Sequence, residues 1–148
     1  MAFGFKSLTQ GIIGNYSEVS HEELAKDYSR YLMNGEMISV GFKLVRDVLI
    51  LTDKRLIIFD KQGTTGQKMK VTSINLFSIV SVEMETSGFG FDDSEVTFTY
   101  ATSPAAFGYN ASYAHHKLEF PKKYNVQNIY NLLQSIAYEN CLRINSLQ

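Results

Sequence analysis

The chain has 148 residues, 45% hydrophobic and 20% charged, with a formal net charge of -1 and a single cysteine. That length lets one domain bury about two thirds of its unfolded surface without a disulfide framework or a structural metal. One thiol excludes an internal disulfide and fits a reducing, cytosolic setting, and a pI near 6.3 gives no global pull toward nucleic acid.

The first residues, MAFGFKSLTQGIIG, place Met1, Phe5, Leu8 and Ile12 at i, i+4, i+7 and i+11, an amphipathic helical pattern. One lysine and three glycines (Gly4, Gly11, Gly14) make it weak as a membrane anchor, so residues 1–19 are read as an amphipathic segment whose first reading is docking on a neighbouring subunit, with a frayed tail as the alternative. No run has the length of a signal-peptide core or the roughly 20 apolar residues of a membrane span. A single domain over 20–145 is expected after it. Ser20 and Glu23 fit a capping box, and Leu24, Tyr28, Tyr31 and Leu32 share one face of a helix over 20–33 that Asn34 and Gly35 should stop.

Seven strands follow, near 36–45, 47–53, 55–60, 67–74, 77–86, 94–100 and 114–120. Val48 to Leu51 and Leu56 to Phe59 are apolar at every position, so both faces of the second and third strands must be dry, which demands a cover from a helix of the same chain or from another subunit. Val80, Val82 and Met84 share one parity, as do Val96, Phe98 and Tyr100, and Leu118 and Phe120. Asn125 caps a last helix whose stripe is Val126, Ile129, Tyr130, Leu133, Ile136, Ala137, Cys141 and Ile144. The expected fold is mainly β, a seven-stranded antiparallel barrel closed by the C-terminal helix, with an additional N-terminal helix.

Charge is unevenly spread. Lys43 to Lys70 holds seven cations (Lys43, Arg46, Lys54, Arg55, Lys61, Lys68, Lys70) against three anions, whereas Val71 to His116 holds five anions (Glu83, Glu85, Asp92, Asp93, Glu95) and no Lys or Arg. Chemistry is harder to find. QGTTGQ and SGFGFDD do not match GxxxxGK[ST] and precede no helix, so they read as turns rather than phosphate cradles. Asp92, Asp93 and Glu95 lack the ligand spacing of a calcium loop. His115 and His116 are adjacent, so on a strand they point to opposite faces and cannot jointly hold a metal. Cys141 lies on the apolar stripe, where a thiol packs rather than reacts. Asn15 and Asn110 match the glycosylation pattern but need an export that nothing supports. No cofactor, metal or catalytic arrangement is indicated.

The turns carry a family signature. FKLVRDV, LTDKRLIIFDKQG and TGQK, in one order, resemble the bacterial pleckstrin-homology-like (PH-like) domain family over roughly Asn15 to Ile136. The resemblance implies a PH-type barrel closed by a C-terminal helix, no known catalytic activity and a tendency to form ring-like homo-oligomers. The segment Ala101 to Ala114 departs from the family pattern, being longer and more aromatic than the usual connection.

Two readings follow. The first is a non-enzymatic homo-oligomer, head-to-tail and possibly ring-shaped, that serves as a protein-interaction scaffold. Its basic edge near Lys54, Arg55, Lys68 and Lys70 meets the acidic region near Glu83, Glu85, Asp92 and Asp93 of a neighbour, with apolar area from strands two and three or from Phe5, Leu8 and Ile12 of the N-terminal segment supplying most of the free energy. The alternative is a peripheral membrane adaptor that meets anionic lipid through Lys43, Arg46 and the N-terminal segment, although Asp47 beside Arg46 opposes an approaching phosphate. Nucleic acid is not an expected partner.

Overall fold

The computed structural model describes residues 19–63, 67–88, 93–103, 110–122 and 124–146. The backbone groups into two compact units, Met1–Ile74 and Asn75–Gln148.

In the first unit, helix α1 (His21–Tyr28) starts where Ser20 Oγ accepts a hydrogen bond from the Glu23 amide at 3.2 Å. Glu22 and Glu23 in the first turn add a favourable charge at the positive end of the helix dipole. The helix tightens into a 3-10 turn over Ser29–Tyr31 and stops at Leu32, which is extended, slightly before the expected end at 33. Gly35, at φ 77°, occupies the left-handed region needed to turn the chain toward the sheet. Strands β1 (Ile38–Lys43), β2 (Asp47–Thr52), β3 (Arg55–Gln62) and β4 (Lys68–Asn75) then form a sheet in chain order.

The register explains the two uninterrupted apolar strands. Val48 lies opposite Phe59 and Ile50 opposite Ile57 on one face, while Leu49 lies opposite Ile58 and Leu51 opposite Leu56 on the other. The first face is covered by the chain's own helix. Leu24, Tyr28 and Tyr31 pack on Ile50, Ile57 and Phe59, with the Tyr28 and Tyr31 rings 4.7 and 5.0 Å from that of Phe59. On the other face Leu49, Leu51, Leu56 and Ile58 are buried together with Val40 and Phe42. Both faces are therefore dry within one chain, and these strands have no apolar area to offer a second subunit. Gly41, opposite Ile50, lets the helix sit close. A methyl group there would lie 2.5 Å from Leu24 Cδ2.

One buried ion pair fastens this unit. Glu36, its side chain fully buried, accepts from the Thr52 hydroxyl (2.7 Å) and Arg55 Nε (2.8 Å) on Oε1, and from the Met33 amide (2.8 Å) and Arg55 Nη2 (3.0 Å) on Oε2. Arg55 also donates to the Tyr31 carbonyl at 2.6 Å and to Ser73 Oγ on β4 at 2.9 Å. Thr52 Oγ1 accepts from the Lys54 and Arg55 amides, which closes the β2–β3 turn. Burial pushes the Glu36 carboxyl up, but the hydrogen bonds from Arg55, Met33 and Thr52, with the guanidinium charge, outweigh it and lower the pKa to about 2.

The second unit opens with a 3-10 turn, Leu76–Ser78, followed by β5 (Ile79–Glu85), β6 (Ser94–Ala101), β7 (Tyr113–Phe120) and helix α2 (Val126–Ser146). The three strands pair antiparallel in chain order. Val96, Phe98, Leu118 and Phe120 are buried as their parity requires, and Val80, Val82 and Met84 are half-buried on the same side. The Asn125 side chain accepts from the Gln127 amide at the start of α2. This helix packs on β5 and β6 through Val126, Ile129, Leu132, Leu133, Ile136 and Ala137. The apolar stripe ends differently from its expected course: Cys141 is exposed, and the buried position belongs to Asn140. The reason is a bend with two carbonyls to satisfy, since Asn140 Nδ2 donates to both Leu76 O and Ile79 O at 2.8 Å.

Two outcomes follow from the first unit. Gly41→Val should lower unfolding free energy in urea by about 1–3 kcal/mol through overpacking against Leu24, and Leu24→Ala in the same chain should recover part of that loss; a Gly41→Val chain of unchanged stability would show that the helix does not bear on β1. The Glu36 carboxyl is depressed in the folded state, so its stabilisation is present above its ordinary pKa of 4.5 and is lost as pH falls toward about 2. Wild type should lose up to about 3 kcal/mol from this group across that window, whereas Glu36→Gln should lack that component. Parallel pH–stability curves for the two chains would remove Glu36 as the titrating group.

Candidate functional site

The functional candidates among the described residues are surfaces. Strand β4 ends the order of its sheet and is wet on both sides: Lys68, Lys70, Val71 and Ser73 are exposed. Lysines on such a strand discourage uncontrolled edge pairing and also present charge. Lys54 stands exposed in the β2–β3 turn, 3.9 Å from Asp53. Arg55, expected in the same basic edge, is turned inward onto Glu36, and its side chain is only 13% exposed. Of the residues expected in that edge, Lys54, Lys68 and Lys70 are exposed; the reach of Arg55 to Ser73 sets the β2–β3 turn beside the last residues of β4, whereas Lys68 and Lys70 lie at its start.

At the β1–β2 turn, Lys43 faces Glu23 at 3.5 Å and Arg46 is exposed beside Val45 and Asp47. The Leu44 amide donates to the Asp47 carbonyl at 2.8 Å and closes the turn. The register sets Asp47 opposite Asp60, so the exposed Lys61 lies at the same end of the sheet as Lys43 and Arg46.

The acidic surface is larger than the sequence suggested. Glu83 and Glu85 alternate with half-buried residues and point outward from β5, and Asp93 is exposed just before β6. The register then sets Glu85 opposite Glu95, and Glu95 opposite Glu119, so that three glutamates lie side by side across β5, β6 and β7. Directly opposed like charges destabilise a sheet. Lys117, opposite Thr97 in the next row, relieves part of this by reaching Glu95 at 3.0 Å. The hydrogen bond to Glu95 raises the Lys117 pKa above its ordinary value, and the charges of Glu95, Glu119 and Glu85 add to it. Sequence reasoning had no access to Glu119 as a member of this row, since only strand register aligns it.

The same outer face carries His115, whose Nδ1 lies 2.8 Å from Thr99 Oγ1, while His116 is half-buried with its ring 5.9 Å from that of Phe98. The two imidazoles are on opposite sides of β7. Among the described residues no group of three His, Cys, Asp or Glu is placed to hold a metal, and no helix is long and apolar enough to cross a membrane. Large apolar side chains that sequence reasoning missed stand out in the second unit: Phe77 is 66% exposed, Tyr138 59% and Leu142 46%. Phe5, Leu8, Ile12 and Asp92 lie outside the described residues.

Comparison with known proteins agrees with this architecture. Residues 7–137 match the model of the bacterial PH domain. An uncharacterised Bacillus subtilis protein, YjqA, is 43% identical over 86 residues, covering 58% of this chain and 69% of its own. Among solved structures, a pleckstrin homology domain from Shewanella amazonensis superposes with a TM-score of 0.63 at 30% identity, over 86% of this chain and 96% of that one. A pleckstrin-homology-domain protein from Shewanella loihica gives 0.61 at 26% identity, over 82% and 96%. With its turns, its strand order and its sequence matched over most of its length, the chain belongs to the bacterial PH domain family.

Proposed function

We propose that this bacterial PH domain protein acts by binding rather than catalysis, and that its first partner is itself. The observation that carries the reading is the row Glu85, Glu95 and Glu119, opposed in register with Lys117 reaching Glu95. Such a row lowers its own free energy when cations from outside approach it. Lys54, Lys68 and Lys70 are exposed cations of the same chain, and Lys68 and Lys70 have no ion pair among the described residues.

A contact between two different patches is heterologous, so it propagates head-to-tail and closes into a ring when the rotation allows. The assembly would present repeated surfaces to other proteins, as an interaction scaffold in the cytoplasm. Charge on the rim of such a contact governs orientation and association rate more than lifetime. The rival partner, an anionic membrane reached through Lys43 and Arg46, is disfavoured by Glu23 facing Lys43 and by Asp47 in the same turn.

Light scattering at low and high salt tests this. Wild type should form a multimer at low salt. Lys68→Glu with Lys70→Glu should raise the dissociation constant by about tenfold or more, and mixing that chain with one carrying Glu83→Lys and Glu85→Lys should restore the mass. Wild-type mass in both separate variants at low salt would defeat the charge-matched model, and a monomeric wild type would defeat self-assembly itself.

A further inference from the structure

We infer that strand β4 of one copy pairs antiparallel with strand β5 of the next, setting Lys68 opposite Glu85 and Lys70 opposite Glu83; the inference rests on the self-assembly proposed above and specifies the contact that makes it.

Each strand stands at the end of its own sheet, β4 after β3 and β5 before β6, so each carries an edge of backbone donors and acceptors that no strand of its sheet uses. Their sequences are complementary. From Lys68 onward β4 reads Lys, Met, Lys, Val, Thr, and from Glu85 backward β5 reads Glu, Met, Glu, Val, Ser. Run antiparallel, they place each lysine opposite a glutamate, Met69 opposite Met84, Val71 opposite Val82 and Thr72 opposite Ser81, each opposed pair on one face of the sheet. A slip of one residue would set Lys70 against Val82 or Met84, and a slip of two would leave one charge pair, so the charges select the register. Exposure agrees with this. Lys68, Lys70, Glu83 and Glu85 are exposed, Val71 is 40% exposed, and Met69, Val82 and Met84 are half-buried. The irregularity of β5 between Ile79 and Ser81 ends the match there.

The pairing also completes the glutamate row. Within one copy Glu85 lies opposite Glu95, and Glu95 opposite Glu119. The neighbour's β4 adds Lys68 on the other side of Glu85 and Lys70 beside Glu83, and it joins the four-stranded sheet of one copy to the three-stranded sheet of the next. The same pairs would close a hairpin inside one chain if residues 75–78 were a plain loop. They are not. Leu76–Ser78 form a 3-10 turn, Asn140 holds the carbonyls of Leu76 and Ile79, and β4 and β5 belong to separate sheets. A match that one chain leaves unmade is open to a second copy, the logic of an element exchanged between protomers.

Engineered cysteines read the register. In full-length protein carrying Cys141→Ser, which removes the one exposed native thiol, a Val71→Cys chain is mixed with a Val82→Cys chain at low salt and oxidised. A Thr72→Cys chain is treated in the same way with a Ser81→Cys chain, so that both kinds of opposed position in an antiparallel ladder are sampled. Directly opposed Cβ atoms lie about 5 Å apart, near what a disulfide needs, whereas positions two out of register lie about 7–8 Å apart. At least one matched mixture should give a disulfide-linked dimer, and only with both chains present, while Val71→Cys mixed with Met84→Cys should give none. The Thr72 and Ser81 pair keeps the test open should Val82→Cys lower the melting temperature. Dimers of the Val71→Cys chain alone would mean that β4 meets β4. A chain carrying both Val71→Cys and Val82→Cys that closes its disulfide as a monomer would mean that the strands pair within one chain. Each of these, and equally an absence of linkage from both matched mixtures, overturns the pairing. If wild type is then still a multimer by light scattering, self-assembly stands on another surface, whereas a monomeric wild type removes both.

Discussion

The first unit depends on a single carboxylate. Glu36 takes four hydrogen bonds, and through Arg55 it connects the turn after α1 to the β2–β3 turn and to Ser73 on β4. Taking both charges out of water is costly, and the cost is offset by the donors that Arg55, Thr52 and the Met33 amide aim at the carboxylate. The arrangement is asymmetric in its consequences: complete, it fixes the position of the chain between Tyr31 and Met37, and with either partner missing it strands the other charge in a dry place. Asp53 supports the same corner, accepting from the Met37 amide at 2.9 Å and donating its own amide to the Met37 carbonyl at 3.0 Å. The exposed Lys54 is thereby held on a rigid turn.

Much of the architecture was legible in the residues because it follows local rules. Period-two runs marked the strands, Ser20 and Asn125 marked the helix starts, and Gly35 marked a turn that requires positive φ. The features that escaped are those decided by partners distant in sequence. Arg55 sits among other cations in the chain and looks like a surface residue; Glu36, 19 positions away, turns it inward. Asn140 and Cys141 both continue the stripe of α2 geometrically, and only the carbonyls of Leu76 and Ile79 decide between them. The uninterrupted apolar strands announced that both faces would be covered, and Leu24, Tyr28 and Tyr31 show that the chain covers one of them with its own helix.

The candidate surfaces were legible only in outline. A basic stretch and an acidic stretch can be counted along the chain, but tertiary contacts alter the sums at the surface. The basic side loses Arg55 to Glu36, and Lys43 already has Glu23. The acidic side grows, because register adds Glu119 to Glu85 and Glu95. Lys117 shows the sheet's own response to that concentration of charge. A PH fold accommodates lipid, peptide and purely structural roles, so the surface chemistry, not the fold, distinguishes among them.

Charge alone is a poor source of affinity, since exposed ion pairs contribute about 0–1 kcal/mol each and are screened by salt. A lasting contact needs apolar area at about 25 cal/mol per Å². Strands β2 and β3 cannot supply it, because both of their faces are already buried. The second unit exposes Phe77 in its 3-10 turn, Tyr113 on β7, and Tyr138 and Leu142 on α2, each by roughly half or more. In the self-assembly proposed above the labour divides physically: the glutamate row and the β4 lysines act over a Debye length of about 10 Å, whereas apolar side chains act only once two surfaces are close enough to exclude water.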